Sequence, residues 1–249
     1  MRLVLVLIAL AGLCASAWAY PTLTGPSGIV QTPTTDITEE GTVDFAADHL
    51  SMDDANTTAI RLTTGITDKA ELGIAYLKFG NDLDGRLVNF HGKFSLQREP
   101  ACSLGLAVGI EFGDLGEDMF EAAGVERLTR VYAVASKMLT PLPDAAEETV
   151  STDIRGHVGL AFSRVENGDS KDSIRPFLGL EFATRRGTVF GVEWRSEEFG
   201  DDVISAVVRH PFNGDSFLQV GITKNPAGLA VSDETSVFAG LGWRFETPE

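Results

Sequence analysis

The chain is poor in cysteine and in basic residues. Only two of its 249 residues are cysteines, too few for a disulfide framework or a cysteine-rich metal site. It has 20 basic residues against 36 acidic ones, which gives a formal net charge of −16. Because a nucleic-acid binder needs a basic face to neutralise phosphates, this balance argues against nucleic acid as a partner. Beyond residue 19, no hydrophobic run approaches the ~18 residues of a transmembrane helix.

Common catalytic motifs are also missing. There is no H-E-x-x-H, no G-x-S-x-G, no Walker loop and no dinucleotide-binding G-x-G-x-x-G before a helix. His91 and His157, with Glu111 or Ser163 nearby, are the residues that could suggest a metal or nucleophilic site. They fall three predicted strands apart, which is about 14 Å around a sheet. We therefore predict a protein that is not an enzyme and uses no cofactor or metal, with an outer-membrane barrel enzyme as a distant alternative.

The first nineteen residues have the features of a secretory signal peptide. Arg2 precedes an apolar run from Leu3 to Leu13, and Ala17-Trp18-Ala19 fits a small-x-small cleavage site. The alternative is an N-terminal membrane anchor. The predicted organisation is a signal peptide (1–19), an extended proline-rich arm (20–40), a β-barrel (41–246) and a short tail (247–249).

The remainder alternates between large apolar and small or polar residues with a period of two. In 104–112, for example, large apolar residues stand at every even position. This period is typical of strands, since successive side chains point to opposite faces. Most segments have nine to twelve residues, close to the roughly 9–11 that cross a bilayer as a barrel strand. Twelve such segments lie near 41–50, 58–66, 70–79, 87–96, 102–113, 129–139, 154–165, 174–185, 188–196, 203–211, 216–224 and 236–246.

We interpret the apolar face as lipid-facing and the small or polar face as the lumen wall. The predicted lumen-lining residues are Arg61, Glu71, His91, Lys93, Glu111, Arg155, His157, Glu181, Glu193, Arg195, Arg209 and Arg244, together with Asp44, Asp48 and Lys137. Without the histidines these are seven basic and six acidic residues, so opposite charges can pair inside a narrow lumen. Lumen glycines are expected to leave room for the long Arg and Glu side chains.

These features predict an all-β fold: one antiparallel up-and-down transmembrane barrel of about 12 strands. Short turns and longer links alternate along the chain, apart from 140–153, with the longer links at 51–57, 80–86, 114–128, 166–172, 197–202 and 225–235. The even strand count places both termini at one end. Several aromatic residues fall near segment ends, where interfacial girdles occur. They are Tyr76, Phe79, Phe112, Tyr132, Phe162, Phe182, Trp194, Trp243 and Phe245. The alternative is a soluble secreted β-sandwich or barrel that acts as a binding module.

The arm over residues 20–40 is predicted to be extended. Pro21, Pro26 and Pro33 block regular hydrogen bonding and bias the preceding residues toward extended conformations. We expect the arm to lie at the periplasmic mouth of the barrel or to tuck into its lumen. A disordered leader is the alternative.

The arm carries a family resemblance. It reads Pro-Thr-Leu-Thr-Gly-Pro-Ser-Gly-Ile-Val-Gln-Thr-Pro-Thr over 21–34, followed by Glu-Glu-Gly-Thr over 39–42. This opening resembles the YjbH-like family of bacterial outer-membrane β-barrels associated with exopolysaccharide, whose members read similarly to G-P-T-G-L-I-N-T-P-T. The segment Glu-Leu-Gly-Ile over 71–74 is similar to a hairpin phrase common in such barrels.

The expected location is therefore the bacterial outer membrane. The expected role is a narrow pore, an export accessory with a link to polysaccharide, or a structural barrel. The expected partners are outer-membrane lipid and the barrel-assembly machinery, with a polysaccharide or small solute as a further option.

Overall fold

The computed structural model describes residues 19–51, 55–81, 85–99, 104–116, 126–139, 152–167, 169–184, 186–197, 202–213, 215–224 and 235–247. These residues contain twelve β-strands. They are β1 (Thr42–Ser51), β2 (Ala55–Thr67), β3 (Ala70–Asn81), β4 (Gly85–Gln97), β5 (Gly105–Leu115), β6 (Arg127–Met138), β7 (Thr152–Asn167), β8 (Asp169–Thr184), β9 (Val189–Arg195), β10 (Val203–Asn213), β11 (Ser216–Lys224) and β12 (Thr235–Glu246). Residues 1–18, 140–151 and 248–249, on which other predictions fall, lie outside the described part. In the described part, no helix is long and apolar enough to cross a membrane.

The twelve strands form one closed antiparallel barrel. Each strand pairs with its neighbours in sequence, and β1 pairs with β12 to close the ring, from Thr42 opposite Glu246 to Ser51 opposite Val237. Closure leaves no sheet edge, and the described residues contain no second sheet, so the predicted up-and-down barrel is confirmed and the sandwich alternative is wrong. We call the end that holds the start of β1 and the end of β12 the terminal end, and the opposite end the loop end.

The two faces of each strand differ sharply. On β2, Arg61 is 1% exposed inside the barrel, whereas the adjacent Leu62 is 42% exposed on the outside. Large apolar side chains cover the outer surface of most strands, as an apolar belt facing lipid requires. Outward-facing members include Ile74, Phe90, Phe112, Val131, Leu160, Leu178, Val192, Ile204, Val220 and Leu241.

Several strands extend beyond their predicted bounds. Residues 51–57, 80–86 and 166–172 were predicted to be longer links, but strands enter all three. β7 ends at Asn167 and β8 begins at Asp169, with the ladder still paired at these residues. Apolar alternation stops where a strand leaves the belt, yet main-chain hydrogen bonds continue through polar residues. Hydrophobic periodicity therefore underestimates strand length at the loop end.

The predicted faces of β6 were partly wrong. Lys137 was predicted to line the lumen, but it is exposed, whereas Arg130 is buried inside the barrel. Tyr132 was predicted to be an interfacial aromatic and instead points inward, fully buried. β6 carries aliphatic or aromatic side chains on both faces, with Val131 outward and Val134 inward. Side-chain size therefore does not distinguish the two faces of this strand.

An apolar layer occupies the loop end of the lumen. Phe79, also predicted to be interfacial, is fully buried in this layer. Seven wall residues near the loop-end ends of their strands define the layer: Leu50, Leu77, Phe79, Leu87, Leu115, Val165 and Phe238. The layer covers only part of the loop-end wall, because the buried Arg130, near the start of β6, and Arg195, at the end of β9, also lie toward the loop end.

We predict that the lipid face is sensitive to depth. Leu62→Arg, near the middle of β2, should destabilise the folded barrel by about 2–4 kcal/mol, because a cation at the bilayer midplane is costly. Leu96→Arg is the matched control. Leu96 is 58% exposed but lies one residue from the terminal end of β4, where the cost falls to about 0–1 kcal/mol. Urea unfolding of the barrel in lipid vesicles measures both variants, and equal losses would contradict the assigned face and depth.

Candidate functional site: the occupied barrel lumen

The barrel interior is occupied by the N-terminal part of the described chain. We call residues 19–38 the lumen segment. Residues 19–35 are buried throughout, and the side chains of Leu23, Ile29 and Val30 are at most 1% exposed. These three pack into the apolar layer. Of the two predicted positions, mouth or lumen, the structure places the arm in the lumen.

The lumen segment folds back on itself as a compact double turn, whereas an extended arm was predicted. The N–H groups of Gly28 and Leu23 donate to the carbonyls of Tyr20 and Val30, each at 2.6 Å. Near one end of the segment, the Tyr20 ring stands edge-on to Phe217 of β11, with 4.8 Å between centroids. Near the other end, Thr38 Oγ1 lies 3.2 Å from a carboxylate oxygen of Asp44 on β1. Because Phe217 and Asp44 both lie near the terminal end, the segment enters and leaves the lumen there.

Glu193 on β9 holds the middle of the segment. Its carboxylate accepts three successive main-chain N–H groups, from Val30 at 3.0 Å, Gln31 at 2.8 Å and Thr32 at 2.9 Å. Such a run of N–H groups forms an anion-binding concavity. Arg195, two residues along the same strand, donates to the Gln31 carbonyl at 2.7 Å. Adjacent wall charges of opposite sign thus bind the N–H and C=O groups of one stretch of main chain.

Glu71 and Lys93 form a second clamp. They are direct partners across β3 and β4, with Nζ 3.2 Å from a carboxylate oxygen. Glu71 accepts the N–H groups of Ser27 at 2.9 Å and Thr38 at 2.8 Å. Lys93 donates to the carbonyls of Ser27 at 2.8 Å and Thr34 at 3.2 Å. This pair therefore ties both arms of the double turn to one place on the wall.

Arg155 on β7 anchors the exit of the segment. Its Nη1 lies 2.7 Å from both carboxylate oxygens of Asp36, and its Nε lies 2.7 Å from Glu99. Burial acts to raise the pKa of Asp36, but the charge of Arg155 and its hydrogen bonds outweigh burial and hold the pKa below its usual value. The segment thus supplies an ionised carboxylate to a partly buried arginine.

A row of three side chains holds the backbone at Thr35. The Thr35 N–H donates to Ser136 Oγ at 3.3 Å, and Ser136 Oγ lies 2.7 Å from His157 Nδ1. His157 Nε2 lies 3.1 Å from Glu181. Hydroxyl, imidazole and carboxylate also form nucleophilic relays, but this hydroxyl is engaged by the segment backbone. Sequence reasoning missed Ser136, which is the direct register partner of His157 across β6 and β7.

His91 takes a separate place in the lumen. Its Nε2 lies 3.4 Å from Thr63 Oγ1, and its ring packs against Gly25, whose φ of 120° favours glycine. The two histidines therefore do not share a site. Among the described residues, no group of three or more His, Cys, Asp or Glu side chains is arranged to hold a metal ion.

Apart from Lys137, the other predicted lumen residues also point inward, and most of them form ion pairs. Arg61 forms an ion pair with Asp48, and Arg244 lies 2.7 Å from Asp44. Arg195 also pairs with Glu197, which follows β9. Glu111 lies 3.5 Å from Arg130, a contact that sequence reasoning missed. With Arg130 counted in place of Lys137, the set of charged lumen residues still holds seven basic and six acidic members.

Arg209 joins the wall to the start of the lumen segment. Its Nη1 donates to the Gly28 carbonyl at 3.0 Å, and its guanidinium carbon lies 4.7 Å from the Tyr20 ring centroid. One side chain therefore contacts the segment through both a hydrogen bond and a cation–π interaction.

Wall glycines make room for the segment. A Cβ built at Gly179 would lie 2.4 Å from Ile29 Cδ1, and one at Gly191 would lie 2.6 Å from Ile29 Cγ2. At Gly65 of β2, a Cβ would meet the Thr38 carbonyl oxygen at 2.4 Å. At these positions glycine leaves room for the inserted chain, and not for the long Arg and Glu side chains as predicted. The wall is shaped to its occupant.

No protein-family model matches the sequence. No curated protein matches it either.

Solved structures with a similar fold include bacterial barrels. A KdgM porin in complex with disordered oligogalacturonate is 8% identical with a TM-score of 0.55, covering 82% of this chain and 99% of that one. A NanC porin is 9% identical with a TM-score of 0.51, covering 80% of this chain and 97% of that one. An outer-membrane channel from Pseudomonas putida F1 is 13% identical with a TM-score of 0.50, covering 84% and 97%. At these identities, the likeness shows the barrel fold.

We predict that Glu193→Gln loosens the lumen segment. Replacing a carboxylate that accepts three N–H groups should cost about 2 kcal/mol of docking free energy. Trimming of the segment by a nonspecific protease should then accelerate about 30-fold, because cleavage follows the undocked population. Glu246→Gln, at the exposed end of β12, is the control and should be trimmed at the wild-type rate. Rapid trimming of the wild-type segment would show that it is not held in the lumen.

Proposed function

We propose that this chain is a bacterial outer-membrane barrel that forms a narrow pore, with the lumen segment as the plug that keeps it closed. The observation that carries the proposal is the continuous burial of residues 19–35 inside a closed barrel, where charged wall residues bind the segment's main chain. In this reading, the terminal end faces the periplasm and the loop end faces outward.

The outer surface supports a membrane location. Its belt of exposed leucine, isoleucine, valine and phenylalanine would be unfavourable in water over so large an area. The paired charges lie on the inner wall, where they avoid lipid. The partners proposed on this basis are outer-membrane lipid and the barrel-assembly machinery.

The strand number supports a plugged pore. An eight-stranded barrel is filled by its own side chains, whereas barrels of 16–18 strands leave an aqueous channel. A twelve-stranded barrel lies between these cases, and here an additional chain segment occupies the interior. Because the segment enters and leaves at the terminal end, it can withdraw without threading a chain end through the barrel.

The candidate solute is a small saccharide. This proposal is supported by the similar fold of KdgM, a porin solved in complex with oligogalacturonate. We extend the proposal to a role associated with exopolysaccharide, like that of the YjbH-like family. The stretch with the resemblance, residues 21–34, is the stretch that Glu193, Lys93 and Arg209 hold.

We predict that removing residues 20–38 opens the pore. In planar lipid bilayers, the shortened barrel should give discrete single-channel currents at voltages where the full-length chain stays closed, because the lumen then fills with water. A chain with Glu39→Gln and Glu40→Gln is the control. Both positions are exposed where the segment joins β1, so the plug should stay in place. Equal conductance of the shortened and full-length barrels would contradict a plugging role.

A further inference from the structure

We infer that the lumen is a polypeptide-binding site, occupied by the chain's own segment and able to bind a turn-forming segment of a separate polypeptide in the same way. The inference rests on the proposed plug and goes one step beyond it. It assigns a ligand class, a turn-forming polypeptide with no charge in the middle of the turn, to the lumen wall that holds the plug.

The first support is that the wall recognises main-chain atoms. Glu193 binds three consecutive N–H groups, and this spacing is a property of a peptide backbone. Lys93, Arg195 and Arg209 donate to segment carbonyls. Asn89 and Thr63 also donate to carbonyls, those of Thr24 at 2.6 Å and Gly25 at 3.0 Å, respectively. The wall thus supplies acceptors for N–H groups and donors for C=O groups along one folded chain, and neither set depends on the side chains of the ligand.

The second support is that the segment holds its own shape. Beyond its wall contacts, the Thr22 N–H donates to the Pro26 carbonyl at 2.7 Å, and the Thr34 N–H donates to the Ser27 carbonyl at 3.1 Å. A preorganised turn loses less conformational entropy on binding than a flexible chain does. The same turn can therefore bind without being part of the barrel chain.

The third support is that only a short exposed link joins the lumen segment to the barrel. Residues 39–41 are exposed and join the segment to β1 at Gly41, whose φ of 73° turns the chain. The link therefore contributes mainly a high local concentration, of order millimolar for a short tether. A separate polypeptide at micromolar concentration should bind only when the chain's own segment is absent, so the intact protein is its own negative control.

The contacts also define the chemistry of the ligand. The segment has one charged side chain, Asp36, which faces Arg155 near the terminal end. Its most deeply packed side chains, Leu23, Ile29 and Val30, meet the apolar layer. The matching ligand is a proline-bracketed turn with an apolar tip, no charge in its middle and a carboxylate close to its exit.

A cleavable version of the whole protein tests the inference. A site-specific protease sequence is inserted between Glu40 and Gly41, the protein is folded with its segment in place, and the link is then cut. Urea below the unfolding midpoint washes the barrel, and gel mobility without heating verifies that it remains folded. A fluorescent peptide with the sequence of residues 20–38 is then added. Its binding is followed by anisotropy, and the conductance of the same barrel is recorded.

We expect saturable peptide binding to the cut, washed barrel and none to the uncut protein. A peptide methylated at the main-chain nitrogen of Gln31 is the matched control. It keeps every side chain and loses the main-chain N–H that donates to Glu193 at 2.8 Å. It should bind about tenfold or more weakly. If the cut segment resists washing, its retention without a covalent link is itself the expected binding.

Two results would overturn the inference: a folded, emptied barrel that takes up no peptide, or equal binding of the methylated and unmethylated peptides. The pore proposal fails separately. Peptide binding with no rise in conductance after washing contradicts the pore alone, whereas a rise in conductance with no peptide binding contradicts the binding site alone.

Discussion

Buried charge in the lumen is the constraint on which the rest of this structure depends. The wall places carboxylates, guanidinium groups and a lysine where little water reaches, and a buried charge is costly unless it is paired or hydrogen-bonded. Some of these groups pair across neighbouring strands, as Glu71 does with Lys93. Glu193 instead accepts the N–H groups of the lumen segment. A wall of this composition therefore favours an occupant rich in backbone hydrogen-bonding groups.

The polar and apolar parts of the lumen wall match those of its occupant. Near the terminal end, Arg155 holds the segment's exit through Asp36. The apolar layer lies toward the loop end and receives Leu23, Ile29 and Val30. Reversing the segment would place apolar side chains against charges and leave N–H groups without acceptors. Orientation and depth are therefore set together by hydrophobic burial at the tip and hydrogen bonding below it.

The barrel could be predicted from the sequence because its signal is local. Alternation with a period of two identifies twelve strands, and on most of them the contrast between large apolar and small or polar residues separates the lipid face from the lumen face, as for Leu62 and Arg61. The signal fails on β6, where both faces carry apolar side chains, and Lys137 was therefore assigned to the lumen in place of Arg130. The alternation signal also fails at the loop end, where main-chain pairing continues beyond the last apolar residues of the pattern.

The occupied lumen could be predicted only in outline. Prolines indicated an extended arm that could enter the barrel, but the contact between Glu193 and Gln31 joins residues 162 positions apart, and no periodicity encodes it. Ser136 was missed because a lone serine on a strand has no pattern until its register with His157 is known. Such contacts depend on the closed ring, which brings distant strands around one inserted chain.

Hydrogen exchange at the amides of Val30, Gln31 and Thr32, in the folded protein in lipid, tests the central claim most directly. If these N–H groups donate to a buried carboxylate, they should exchange orders of magnitude more slowly than in a free peptide of the same sequence. Exchange at the free-peptide rate, alongside protected strand amides, would show a barrel whose lumen is not occupied by this segment and would contradict the account.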